Sequence, residues 1–188
     1  MNYRIDEAAT AQPQVQRVNE KKIRVYFDHH TEERENTDGT KTVVHVAKFI
    51  EVPFTGETDA LKLIKQVLID EITEYDSSTA VNEFFLNGNS MWIPRELRNE
   101  VEDRLKREME RGHAVLPLDY NGIEISLPAT EESRLILEQL KYYADDCYTV
   151  TARHKSTVST LATVEQVSVY DYTTDYPSKL HFEIAMSK

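Results

Sequence analysis

Hydrophobic and polar positions alternate over residues 22–27, where Ile23, Val25 and Phe27 are separated by Arg24 and Tyr26. That period predicts a half-buried strand. Residues 42–52 are long and β-branched, from Thr42 through Val43, Val44 and Val46 to Val52, and Pro53 closes them. They predict a second strand. Between the two runs lies the acidic stretch 31–40, which ends in the turn pair Asp38-Gly39 and so predicts a hairpin. Residues 1–20 are polar and hold no period of 2 or 3.6, so they read as an arm that orders on a partner or stays mobile.

From residue 58 the spacing turns helical. Leu61, Ile64, Leu68, Ile72 and Tyr75 share one stripe, with Thr58 as N-cap and Asp76-Ser77-Ser78-Thr79 as the end. Phe84-Phe85-Leu86, Asn87-Gly88 and Met91-Trp92-Ile93 predict a hairpin. Pro94 suits a helix start, and Leu97, Val101, Leu105 and Met109 form a narrow stripe on a charged helix that Gly112 stops. Residues 115–120 and 123–127, around Asn121-Gly122, predict a third hairpin. Thr130 caps the longest helix, whose face runs Ile136, Leu140, Tyr143, Cys147, Val150, His154, Val158 and Leu161. Thr163 and Gln166 form a capping box, and Leu180 to Ile184 alternate like a closing strand. The fold class expected is α+β, an N-terminal β-hairpin region followed by amphipathic helices interleaved with two short hairpins. The expected division is an arm over 1–20, a hairpin region over 21–55 and an α+β domain over 56–188.

Composition narrows the function. The 188 residues carry 22 basic and 33 acidic side chains, a net charge of −11. A nucleic-acid groove needs a surplus of Lys and Arg, so direct nucleic-acid binding is disfavoured. One cysteine cannot form an internal disulfide. The most apolar cluster, Leu61 to Ile72, is broken by Lys62, Lys65, Asp70 and Glu71, so no membrane span is expected. The five glycines are taken by turns and helix ends, which leaves none for a phosphate loop, and no cofactor is expected.

Candidate chemistry is sparse. His29 and His30 are adjacent, and in a strand they point to opposite faces. Cys147 and His154 share a helix face but stand about 10 Å apart along it, too far for a thiolate–imidazole pair. Asp70 with Glu74, and Asp145 with Asp146, fall on polar helix faces where solvated charge is the plain reading. The acidic stretch 32–38 lacks the ligand spacing of a calcium loop. No catalytic or metal-binding residue is therefore expected, and the chain reads as a non-enzyme. The interaction candidates are Tyr3, Arg4 and Ile5 in the arm, Trp92, and the tyrosines Tyr170, Tyr172 and Tyr176. Tyrosine joins apolar area to a polar tip, which suits interfaces, sugar platforms and core packing alike.

The stretch Tyr75-Asp76-Ser77-Ser78, Ala80-Val81-Asn82, Phe84, Asn87-Gly88, Trp92 and Arg98 forms a distinctive series. Tyr143-Ala144, Cys147-Tyr148, Val150-Thr151-Ala152 and His154-Lys155 continue it, and so do Val158, Leu161, Thr163-Val164-Glu165, Tyr170-Asp171-Tyr172-Thr173, Tyr176-Pro177 and Lys179-Leu180. Over roughly residues 60 to 182 this resembles an uncharacterised domain family of tailed bacteriophages and prophages of gut bacteria, the crAss-like phages and their relatives. The resemblance implies a virion structural protein of the tail, baseplate or fibre-attachment region, made in the host cytoplasm and ending in the particle. Its partners would be other virion proteins or its own copies in a symmetric assembly. A host-glycan-binding module and a head or head–tail connector accessory are the alternatives. The charged helix 95–111 and the β-rich first 55 residues depart from the family pattern.

Overall fold

The computed structural model describes residues 3–120 and 123–184. The Asn121-Gly122 turn expected from the sequence lies outside the described residues. The structure divides the chain into two compact units, Met1–Ile72 with His154–Tyr172 and Thr73–Arg153 with Thr173–Lys188. The α+β class holds, but neither unit is a continuous stretch of chain, and residue 55 is not a boundary between them.

In the first unit, strands β1 (Arg4–Ala8), β2 (Val15–Arg17), β3 (Lys22–Glu35) and β4 (Lys41–Pro53) form one antiparallel sheet in the order β1-β4-β3-β2. The segment expected as an arm thus supplies both edge strands. Its side chains are mostly exposed, so it shows no apolar period; backbone pairing with β4 and β3 orders it instead. The two edges are joined by residues 9–14, which cross from one side of the sheet to the other. Along the way the Gln12 amide donates to the carbonyls of His45 at 3.2 Å and Asp6 at 3.3 Å, and the Tyr26 N–H donates to the Gln14 carbonyl at 2.8 Å.

One sheet face carries Ile23, Val25, Phe27, Ile50 and Val52. Two-stranded hairpins cannot cover such a face themselves. It is covered by Leu63, Ile64, Leu68 and Ile72 of helix α1 (Ala60–Ser77), with Val158 from the long helix and Val164 and Val167 further on. That requirement draws helical residues into the same unit as the hairpin. The opposite face buries Tyr26, Ala47 and Phe49, with the Arg24 guanidinium 4.5 Å above the Phe49 ring. The Tyr26 hydroxyl meets Gln16 Oε1 at 2.8 Å and Asp6 Oδ2 at 3.1 Å.

The pairing of β3 with β4 slips between Phe27 and His30, and Asp28 takes a left-handed φ of 55° there. Beyond the bulge the two strands continue as an exposed ribbon to a turn in which Gly39 has φ 77°. The acidic stretch expected as a loop is therefore largely strand. Two of its carboxylates face cations, Glu32 meeting Arg34 at 3.2 Å and Glu33 meeting Lys41 at 3.0 Å, and Arg34 also grips Glu7 of β1 at 2.6 and 2.9 Å.

The capping of α1 falls one residue later than expected. Asp59 Oδ1, not Thr58, accepts the Lys62 N–H at 3.1 Å. The shorter α5 (Val164–Ser168, in the chain order given below) has the expected reciprocal box between Thr163 and Gln166.

The second unit begins at the last turn of α1. Helix α2 (Thr79–Asn82) follows at once, where a simple helix end was expected. Strands β5 (Phe84–Leu86) and β6 (Asn89–Met91) form the predicted hairpin, with Asn87 at φ 49° and Gly88 at φ 75°. Both left-handed residues suit a type I′ turn. A 3-10 turn at Arg95–Leu97 intervenes before α3 (Arg98–Glu110), so the helix starts one turn beyond Pro94. Strands β7 (Val115–Tyr120) and β8 (Ile123–Pro128) pair antiparallel. Helix α4 (Glu131–Thr160) follows, and the Thr130 hydroxyl accepts the Ser133 N–H at 3.3 Å as its cap. After α5, strand β9 (His181–Phe182) joins β5 in parallel, shorter than the closing strand expected. The Asn87 side chain extends that pairing: its amide donates to the Ile184 carbonyl at 3.0 Å and its Oδ1 accepts the Ile184 N–H at 2.8 Å. Phe84, Leu86, Met91, Leu105, Leu116, Leu127, Leu137 and Leu140 make this unit's core.

Deleting residues 1–17 removes both edge strands and the crossing over Tyr26. The expected outcome in thermal or urea unfolding is a loss larger than that of Tyr26→Phe, which removes only the hydroxyl contacts and should cost about 1 kcal/mol. A truncated chain as stable as the full one would show that the edges do not hold the sheet.

Candidate functional site

Ionisable side chains converge inside the second unit, where α1 ends and α3 begins. Asp76 lies on the last turn of α1 and Asn82 ends α2. Arg95 opens the 3-10 turn and forms a bidentate pair with Asp76, Nη1 to Oδ2 at 2.7 Å and Nη2 to Oδ1 at 3.0 Å. Its Nε donates to Asn82 Oδ1 at 2.6 Å. The Asn82 amide donates in turn to the carbonyls of Asp76 at 2.5 Å and Ser78 at 3.0 Å. The fork geometry fixes arginine against carboxylate and ties three chain segments together.

Arg98 is 2% exposed, the largest of the fully buried side chains. Its Nε donates to the Ile93 carbonyl at 3.1 Å and its Nη1 to the Leu140 carbonyl at 2.6 Å, which links α3 to α4. Nη2 has no hydrogen-bond partner among the described residues. Burial, with the nearby Arg95 charge second, pushes its pKa down to about 10, so it stays charged at neutral pH. The sequence reading placed Leu97 on the inner stripe. The structure puts Leu97 outside, at 38% exposure, and runs the stripe through Arg98, Val101 and Leu105. The signal was present as spacing: stepping back from Leu105 by four and then three residues reaches Arg98, but a charged residue is not expected inside.

Around this cluster, the Tyr143 hydroxyl donates to the Val81 carbonyl at 2.9 Å. Burial, and then Cys147, push the phenol upward in pKa. Burial likewise pushes up the fully buried Cys147 thiol. Both groups are protonated at neutral pH, which is the wrong state for a nucleophile or base. Tyr176 packs edge-on to Tyr75 at 5.4 Å, and its hydroxyl shares a 2.8 Å hydrogen bond with Thr151. Chemically, the arrangement can hold segments in register.

The other candidates divide between surface and core. Tyr3 is 49% exposed and lies edge-on to Phe27 at 6.1 Å, with the Lys48 ammonium 4.6 Å over its ring. Arg4 is exposed and Ile5 is 62% exposed, both on edge strand β1. Trp92 is half-buried between buried Met91 and Ile93. Tyr170 and Tyr172 are half-buried against the first unit's core, and the Tyr170 hydroxyl meets His154 Nδ1 at 2.7 Å. Exposed tyrosines occur at Tyr142 and Tyr148 on α4, which belong to the tyrosine-rich stretch after residue 140 but fall outside the apolar stripe of the helix.

Two open depressions belong to the first unit. One, of about 320 Å³, lies at the starts of α1 and α5 and includes Asp59 and Glu165 in its walls. The other, about 140 Å³, lies where residues 11–12 cross His29, His30 and His45. His30 is raised in pKa, first by its contact with the Asp28 carbonyl and then by Glu32. Among the described residues no group of three or more His, Cys, Asp or Glu side chains is placed to hold a metal ion, and no helix is long and apolar enough to cross a membrane.

On α3, Glu102 faces Lys106 at 2.8 Å and also bonds Lys141 of α4. The hydrogen bonds from Lys106 and Lys141 hold its pKa down to about 2. The folded carboxylate thus resists protonation more than the unfolded one, so its contribution is present above about pH 4.5 and is lost as pH falls toward 2. Urea midpoints measured at pH 5 and pH 3 should fall for the wild type and fall less for Glu102→Gln. For Arg98, removing charge and keeping volume should be cheap: Arg98→Met is expected to cost less than about 1 kcal/mol, whereas Arg98→Ala, which opens a cavity, should cost about 3 kcal/mol by denaturant titration. In comparisons with protein-family models, with curated proteins and with solved structures, nothing matches this chain.

Proposed function

We propose that this chain is a structural component of a tailed-bacteriophage particle, in the tail, baseplate or fibre-attachment region, working through contacts with other virion proteins. The observation that carries the reading is the engagement of the residues behind the phage resemblance. Asp76, Asn82, Arg98, Tyr143, Cys147, Thr151, His154, Tyr170 and Tyr176 are buried or half-buried, and their polar groups meet one another, Arg95 or the backbone. Cys147 is a protonated core thiol beside Tyr143, and Nη2 of Arg98 is the group in this set without a hydrogen-bond partner among the described residues. A domain family that repeats its internal ties and no outward reactive group is a family defined by shape, which is the requirement on a building block.

The β-rich part that departs from the family pattern adds outward surface of its own. The ribbon of β3 and β4 beyond the bulge is exposed along β3 and over Lys41, Thr42 and Val43 of β4, and it presents Glu32, Glu33, Arg34, Glu35 and Lys41. Glycan binding, the alternative reading, would rest on exposed aromatic rings. Tyr170, Tyr172 and Tyr176 are engaged in packing, and Tyr142 and Tyr148 stand six positions apart on α4, about 240° around the helix. They do not share a platform, and protein contact is the stronger reading.

The test is incorporation. Purified particles should contain the chain at fixed stoichiometry after salt and nuclease washing, measured by quantitative mass spectrometry. Replacing residues 32–44 with Asn-Gly joins Thr31 to His45, an existing cross-strand pair, through a two-residue turn. This variant should fold and should enter particles at least about ten-fold less. Particles that lack the wild-type chain altogether would refute the proposal.

A further inference from the structure

We infer that strand β1 is a self-association edge, at which two copies of this chain pair antiparallel and continue one sheet across a two-fold axis. In the order β1-β4-β3-β2, among the described residues, β1 has a neighbour on one side only. Its outer N–H and C=O groups form a row that another strand can satisfy. Open edges are commonly blunted by charge, Pro or a bulge. Strand β1 has no Pro or bulge in Arg4–Ala8 and pairs with β4 without a register shift, and its charges, Arg4, Asp6 and Glu7, repel a second copy only in registers that oppose like signs. The opposite edge is different: β2 is three residues long and follows closely after Pro13.

The sequence of the edge selects the occupant. A two-fold axis normal to an antiparallel pair must pass between a residue and its own copy, because directly opposed side chains share a face. Centring the axis on Arg4 or Asp6 sets like charges face to face. Centring it on Ile5 sets Ile5 against Ile5, and places Arg4 of each copy opposite Asp6 of the other, twice. Tyr3 then lies opposite Glu7. The strand is complementary to itself in this register alone among the three. Ile5, at 62% exposure, and Tyr3, at 49% and just before the strand, fall on one face by alternation, and in the pair they meet the other copy in place of water. The charged pairs are exposed and fix register more than affinity. Five residues of edge make a short seam, well under the roughly 1,000 Å² of lasting interfaces, so the dimer is reversible, with dissociation in the range of about 10–100 μM.

Sedimentation velocity of the full chain, from about 1 to 500 μM, tests this. The wild type should pass from monomer to dimer. Arg4→Asp leaves two carboxylates facing two more, and Asp6→Arg does the same with guanidinium groups; each should weaken dimerisation at least about ten-fold. Mixed one to one, these two variants should dimerise again, because every charged pair across the seam is then opposite. Asp6 also contacts the Tyr26 hydroxyl, so Ile5→Lys, which sets two ammonium groups against each other, serves as a variant independent of that contact. It should be monomeric with an unchanged circular dichroism spectrum. A wild type that stays monomeric throughout, with the edge left to a strand of another protein, would overturn the inference. So would Arg4→Asp or Ile5→Lys dimerising as tightly as the wild type, or a mixture that fails to recover.

Discussion

The β3–β4 ladder buries side chains on both of its faces, and the first unit is arranged around that fact. Val25, Tyr26 and Phe27 are consecutive and each is no more than 2% exposed. Successive strand residues point to opposite faces, so such a run needs cover above and below. Helical residues supply it on the Val25 and Phe27 side, some from α1 and some from beyond residue 154. On the Tyr26 side the cover is polar and local: Asp6, Gln16 and the Arg24 guanidinium close over Tyr26 and Phe49. Without those contacts the edge strands would have little to hold them, since their own side chains are mostly in water.

The second unit is organised on a different principle. Its apolar core is ordinary, but at the α1–α3 junction it admits a carboxylate, two guanidinium groups and an amide. The Arg95–Asp76 pair has three segments depending on it, and the desolvation of its charges is offset only because each donor and acceptor finds a geometrically sound partner. Arg98 lacks that balance, with a charge buried against backbone carbonyls alone among the described contacts. Buried polar networks specify which segments meet and in what register, a role that apolar contacts, which tolerate sliding, perform less well. Under the proposed function, a protein that must present the same surface from copy to copy would benefit from that kind of exactness.

Elements set by local signals were legible in the sequence. The Asn87-Gly88 turn, the Thr163–Gln166 box, the Thr130 cap and the stop at Gly112, which has φ 70°, all depend on residues within a turn of each other. Elements set by distant partners were not. Strand β1 has no apolar period because its contacts are made by its backbone and by the polar side chains of Asp6 and Glu7, and β9 pairs only with the short parallel neighbour β5. Arg98 was missed for a related reason: the helix period pointed at it, but residue type argued against burial until the Leu140 carbonyl on another helix was known. The tyrosines showed the opposite error of emphasis, since abundance near the C-terminus said nothing about which rings face outward.

The first unit is closed by residues 154–172, which lie far along the chain from its sheet. During synthesis at about 5–20 residues per second, the ribosome releases the N-terminal hairpin and α1 several seconds before the residues that complete the cover. Through that interval only α1 can shield Ile23, Val25 and Ile50, and the part of the cover that Val158, Val164 and Val167 supply is missing. Holding the unfinished polypeptide apart from its neighbours on a polysome is therefore part of making this molecule, and the negative charge strewn along the intervening region is well suited to the task.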